Sequence, residues 1–237
     1  MALFGTTEVE INSIILSLKN SSACGWDGIP TSVVKGARHI IVPYFTKLCN
    51  LCIEKGIFPD IYKMSLIHPI YKDGDRKEIN NYRPISMLPV LSKILEKLLN
   101  KRLMIFLENN NLISNSQFGF RKDRCTEDAV SHLISHVTTL VDSKKKVLGV
   151  FLDLKKAFDT VSVPILLNKM ERCGIRGLPF NIFKSYLENR SQVTKLDGHL
   201  SNKQTMSFGV PQGSILGPSL FLIYINDIFL SFRDLYT

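Results

Sequence analysis

Apolar residues recur at helical spacing in several separate stretches of the chain and alternate or run together in others. Thr7-x-x-Glu10 opens a periodic run to about Asn20 and has the form of a capping box before a short helix. Residues 22–28 read as a turn. Pro30 suits the first position of a long helix ending near Gly56. Met64 to Tyr71 alternates loosely and predicts a strand, and Lys72-Asp-Gly-Asp75 is a turn signal. Val90 to Leu107 predicts a helix with Leu91, Ile94, Leu95 and Leu98 on one face, and Thr126 to Val141 predicts another. Val147 to Leu152 is a continuous apolar run ending at Asp153, which predicts a buried strand. Helices follow at about Val163–Cys173 and Leu178–Asn189. Strands at about Ser191–Asp197 and Lys203–Phe208 flank a turn at Gly198, and a last apolar helix begins near Ser214. Helices and strands mix without βαβ periodicity, so the fold class is α+β.

Composition narrows this picture. With 237 residues, 45% hydrophobic and 22% charged, the chain can bury a sizeable core in one large or two modest domains. Net charge is +9, and residues 63–124 hold 12 Lys/Arg against 6 Asp/Glu. A basic region in a folded chain suits a polyanion, or simply a basic surface. The five cysteines, odd in number and without a secretory signal, read as reduced intracellular thiols, with nucleus or cytoplasm left open. Cys49-x-x-Cys52 has no second Cys/His pair at zinc spacing, and His132 and His136 lack an intervening Glu and a clear third ligand. No apolar run reaches the ~18–20 residues a membrane-spanning helix needs.

Three places could carry chemistry. A carboxylate at the end of a buried strand is costly unless paired, and Mg²⁺ is a natural partner for oxygen ligands, so Asp153 is either a metal acid or the cap of the turn that follows. Gly209-Val-Pro-Gln-Gly213 lets backbone approach a ligand closely and offers the Gln212 amide, but it is equally an ordinary loop before a helix. Arg83 and Arg121 sit beside aromatic or proline residues, and a guanidinium fork matches phosphate oxygens. Each taken singly could instead serve a surface ion pair.

Taken in order, these segments resemble the reverse transcriptases of non-LTR (LINE-type) retrotransposons. Gly25-Trp-Asp27-Gly28-Ile-Pro30 is similar to the element upstream of that family's fingers. Ile67-His-Pro-Ile70-Tyr-Lys-Asp-Gly-Asp75, Asn81-Tyr-Arg-Pro-Ile-Ser86 and Lys93-x-x-Glu96-Lys97 resemble the first fingers motif, and Gln117-Phe-Gly-Phe-Arg121 the second. Phe151-Leu-Asp153-Leu-x-x-Ala157-Phe158-Asp159 resembles palm motif A. Gly209-Val-Pro-Gln-Gly-Ser214 resembles motif B, followed by Tyr224-Ile-Asn-Asp227.

The resemblance implies right-hand polymerase architecture: a helical extension of the fingers at 1–62, fingers at 63–145 and an incomplete palm at 146–237. It implies that Asp153 ligates both catalytic Mg²⁺ ions, with the Leu154 carbonyl beside it. Phe158 would lie under the incoming sugar and exclude a 2′-hydroxyl. Gln212 and Gly213 would contact the nascent base pair, and Arg83 and Arg121 would clamp the triphosphate. Lys93, Lys97 and Lys101 would follow the template backbone, although a solvated face accounts for them equally well. The implied partners are an RNA template, a DNA primer and dNTPs, without a membrane. The family's aromatic-Ala-Asp-Asp motif is absent and the chain ends about where its strand is expected, so this chain alone is expected to be inactive. A non-enzymatic, RNA-binding remnant is the alternative. An RNA-dependent RNA polymerase fits less well, since such enzymes usually place Asp where Phe158 stands.

Overall fold

The computed structural model describes residues 1–21 and 23–228. Thr7 caps α1 (Glu8–Ser17), its hydroxyl accepting from the Glu10 amide. The long helix expected after Pro30 is two: α2 (Thr31–Gly36) and α3 (Arg38–Lys55), with Pro30 as the N-cap of α2 and the break at Ala37. Gly56, at φ 65°, ends α3 in the left-handed conformation. Then come β1 (Met64–Tyr71), β2 (Tyr82–Met87), α4 (Val90–Asn109), α5 (Thr126–Asp142), α6 (Val163–Arg172) and α7 (Leu178–Leu187). The chain continues through β3 (Ser191–Leu196), β4 (His199–Leu200), β5 (Gln204–Thr205) and α8 (Leu216–Ile225). The mixture is α+β, as the sequence predicts.

The sheet runs β2-β1-β3-β4, with β5 also on β3. β1 pairs antiparallel with β2 and parallel with β3. β2 was not anticipated, because Arg83-Pro84 interrupts its alternation. The register explains how it is tolerated: Pro84 stands opposite Pro69, and β2 is an edge strand where a missing donor costs little. Asp197 and Gly198, both at positive φ, turn the chain back onto β3. The returning arm pairs in two short pieces, so the strand expected over Lys203–Phe208 shrinks to Gln204–Thr205.

A continuous apolar core joins residues of α1, α3, α4, α6, α7 and α8, including Ile11, Phe45, Leu99, Met170, Phe183 and Leu220. Residues 1–62, 63–145 and 146–237 all contribute to it. Cys49 and Cys52 lie in this core. Burial pushes both thiols up, Cys52 to about 11, so they are packing groups and not reactive thiolates.

The strand expected at Val147–Asp153 does not form. Residues 147–154 are irregular and Leu148, Val150, Phe151 and Leu152 are exposed, Phe151 at 86%. A strand apolar on both faces needs ladder partners and cover on both sides. Among the described residues no strand pairs with this segment. The neighbouring α5 is amphipathic yet has no buried residue, with Val130, Leu133 and Ile134 facing outward.

Candidate functional site

Although Asp153 stands apart, the turn after it is well fastened. Lys156 accepts from the Asp159 and Thr160 amides and closes a turn that presents Phe158. The Gly209–Gly213 loop docks on that turn. The Val210 amide donates to the Phe158 carbonyl over 2.9 Å, and the Gly209 amide to the Val161 carbonyl over 2.8 Å. Gly209 has φ 86°, and a Cβ there would lie 2.9 Å from the Asp159 carbonyl oxygen, so only glycine permits the approach.

The other end of the loop is tied to the sheet. The Ser86 amide on β2 donates to the Gln212 carbonyl over 2.8 Å. Gly213, at φ 110°, passes so close to Ser86 that a Cβ would lie 3.0 Å from its carbonyl oxygen. Between sheet, turn and loop lies a cleft of about 280 Å³ lined by residues including Pro84, Ser86, Asp159, Phe208 and Gln212. Burial pushes the Asp159 carboxyl up, partly offset by Lys156. Lys156 also reaches Asn80 just before β2, its ammonium 3.3 Å from Oδ1.

The Phe158 ring is half-buried. It packs against Phe221 of α8 at 5.2 Å between centroids and meets Phe120 edge-on at 6.1 Å. Phe120 belongs to the Gln117–Arg121 segment and sits at φ 59°. Four of the segments singled out in the sequence therefore meet: β2, the Phe120 loop, the Phe158 turn and the Gln212 loop.

Other predicted residues are placed differently. Arg83 is exposed on β2, opposite Ile70. Arg121, expected as a phosphate clamp, is only 9% exposed and engaged within the protein. Its guanidinium bonds both Glu108 carboxylate oxygens and the Ser114 carbonyl at 2.9 Å. The Arg121 hydrogen bonds hold the Glu108 carboxyl below its ordinary value. The stripe on α4 is also partly engaged, because α1 packs along that helix. Lys97 donates to Ser17 Oγ at 2.8 Å and Lys101 to Glu10 at 2.9 Å, leaving Lys93 without an ion-pair partner among the described residues.

Asp153 and Leu154 are exposed on the irregular segment. A divalent centre for phosphoryl transfer needs several converging oxygen ligands. Among the described residues no group of three His, Cys, Asp or Glu could hold an ion, and Asp227 is paired with Lys169 at 2.6 Å. The described side chains do not fit a two-metal centre. His132 and His136 are exposed on α5.

Three residues that sequence reasoning left without a role hold the site together. Ser86 anchors Gln212. Asn226 bridges α8 to the loop before Arg121, its amide donating to the Leu112 carbonyl and accepting from the Ser114 amide, both at 2.8 Å. Glu96 is completely buried beneath the start of α8. A glutamate inside an apolar helix face was the available signal for Glu96; the role of Ser86 depends on a backbone amide that no side-chain pattern reveals.

The family model described as reverse transcriptase (RNA-dependent DNA polymerase) matches residues 70–236. A probable RNA-directed DNA polymerase from transposon X-element of Drosophila melanogaster is 33% identical over 92% of this chain and 24% of its own length. The RNA-directed DNA polymerase from mobile element jockey of the same species is 31% identical over 96% of this chain and 25% of its own length. A putative 115 kDa protein in type-1 retrotransposable element R1DM is 32% identical over 92% of this chain and 21% of its own length. The chain spans about a quarter of the length of these relatives.

Proposed function

Because the chain belongs to the reverse transcriptase family, we propose that it supplies the fingers and part of the palm of a retroelement RNA-directed DNA polymerase. Fingers would comprise residues 63–145, with 1–62 as their helical extension, and the palm would begin at 146. The whole polymerase would copy an RNA template onto a DNA primer from dNTPs. The observation that carries this reading is the convergence of β2, the Phe120 loop, the Phe158 turn and the Gln212 loop.

In that setting each residue has a physical task. Gln212 has an amide able to donate and accept, which suits the edge of a nascent base pair. Phe158 presents a flat apolar ring where a 2′-hydroxyl would be both crowded and stripped of hydrogen-bond partners. Arg83, exposed on its strand, is free to reach triphosphate oxygens, whereas Arg121 shapes the loop that carries Phe120. Lys93 is the member of the α4 stripe best placed for a template phosphate. Asp153 would be one oxygen ligand of a Mg²⁺ centre, with the Leu154 carbonyl beside it; the described residues bring no further carboxylates to that place.

RNA-templated primer extension tests the reading. A polymerase of the relatives' length carrying this segment is expected to synthesise DNA, and Gln212→Ala is expected to lower its kcat/KM for dNTPs about 10- to 100-fold. The 237-residue chain alone is expected to give no extension. Wild-type activity unaffected by Gln212→Ala would remove the assignment of this loop.

A further inference from the structure

Helix α8 begins immediately after the Gln212 loop, and the residue at its N-cap position supplies no cap. Ile215 occupies the N-cap position and makes no side-chain cap bond. The first amides of a helix need acceptors, and an uncapped end frays. Ser214 Oγ receives the Gly217 amide, and the acceptor for the two amides before it comes from another helix. Glu96, fully buried on α4, receives the Ile215 amide at 2.8 Å and the Leu216 amide at 3.3 Å on Oε2. Ser92 donates to its Oε1 at 3.0 Å, and the Tyr186 hydroxyl to Oε2 at 3.4 Å.

Tyr186 links Glu96 to a second buried ionisable side chain. Arg190 is buried too, 1% exposed, and its guanidinium lies 4.6 Å from the centre of the Tyr186 ring. Only Nη1 is bonded, to the Tyr186 carbonyl at 3.0 Å; Nε and Nη2 have no hydrogen-bond partner among the described residues. Burial pushes the Glu96 carboxyl up, and the Arg190 charge and the two α8 amides offset this only in part.

What Glu96 supplies is direction. Its hydrogen bonds fix the start of α8 relative to α4, and Ser86, just before α4, fixes Gln212. One continuous segment, β2 to α4, thus holds the loop on both sides of Gly213. Inside the turn, Ser214 Oγ donates to the Pro211 carbonyl and receives the Gly217 amide, which leaves the loop little freedom between its anchors.

We propose that Glu96 is a positioning residue for Gln212 and Gly213. The functional consequence rests on the reading of that loop as nucleotide-contacting; the positioning itself does not.

Amide hydrogen exchange on the 237-residue chain tests the positioning without any need for catalysis. Glu96→Ala is expected to lower protection at residues 212–217 by about 10- to 100-fold beyond its effect elsewhere, the range corresponding to buried amides left without their acceptor. Ile53→Ala, a core truncation in α3, is expected to lower protection without that local excess. Glu96→Gln, which keeps an acceptor, is expected to fall between wild type and Glu96→Ala, and it serves as the deciding variant if Glu96→Ala does not fold. A uniform loss in both Glu96 variants, matching Ile53→Ala, would overturn the proposal. A second arm uses the complete polymerase: Glu96→Gln is expected to raise the KM for dNTPs several-fold with template–primer affinity unchanged. A local exchange effect without a KM effect would uphold positioning and count against the nucleotide role of the loop. The absence of both would overturn the positioning itself.

Discussion

Ser86 donates its backbone amide to the carbonyl of Gln212, and this 2.8 Å bond ties the edge strand bearing Arg83 to the loop bearing Gln212. The tie exists because Gly213 has no side chain to hold the two backbones apart. Gly213→Ala would place a Cβ 3.0 Å from the Ser86 carbonyl at a φ of 110° that alanine rarely adopts. It is expected to destabilise the chain by about 1–3 kcal/mol, readable as a lower midpoint in urea unfolding. Ser86→Ala, which keeps the amide, is expected to leave this bond intact.

Arg83 and Arg121 are expected to separate cleanly. Arg121→Ala removes a guanidinium that satisfies Glu108 and two loop carbonyls, and should lower stability by about 1–3 kcal/mol. Arg83→Ala, at an exposed position, should change stability by less than about 0.5 kcal/mol. In the complete polymerase Arg83→Ala should raise the KM for dNTPs. Thermal unfolding and steady-state kinetics on both variants check the division.

The α4 stripe makes a prediction about acid. Burial alone would raise the Glu10 carboxyl, but hydrogen bonds from Arg102, Lys101 and Thr6 outweigh it and hold the group at about 2. Its folded value lies below its unfolded one, so its contribution is fully present above about 4.5 and fades as pH falls toward about 2. Glu10→Gln should cost about 1–2 kcal/mol near neutrality and flatten the stability profile within that window. For the same reason Lys101→Ala should alter stability more than RNA affinity. Lys93→Ala should reduce the salt slope of RNA binding by about 0.7–0.9.

The exposed run from Val147 to Leu154 should dominate the solution behaviour of the isolated chain. Leu148 and Phe151 are 88% and 86% exposed and lie close to the unpartnered apolar face of α5 in sequence. Such a surface promotes association. Replacing both with lysine should raise solubility and reduce binding of a hydrophobic dye, with little change in the unfolding midpoint. A large drop in that midpoint would show that the two residues are packed.

Most helices were legible because their signals are local: the Thr7 cap, the periodicity of α4, the glycine after α3. β2 was not, because its stability comes from pairing with β1 and its own sequence carries Arg83-Pro84. The 147–153 strand failed for the opposite reason: its composition is strand-like, but pairing needs neighbours that the described residues do not provide. In the site, the glycines at 209 and 213 could be read as close-approach positions, and the structure shows what they approach. The engagement of Arg121, Lys97 and Lys101 could not be read, because each depends on partners set by tertiary packing.

Phe158 offers the most direct test of the central claim, that the four converging segments form the face that receives a nucleotide. Its ring is held between Phe120 and Phe221, so Phe158→Val should leave a folded protein, with a loss of about 1–3 kcal/mol. The decisive quantity is the ratio of kcat/KM for a dNTP to that for the matching ribonucleotide, measured in the complete polymerase on an RNA template. Phe158→Val is expected to lower this ratio by at least about tenfold, mainly through faster use of the ribonucleotide. An unchanged ratio in a folded, active variant would contradict the placement of Phe158 beneath the incoming sugar.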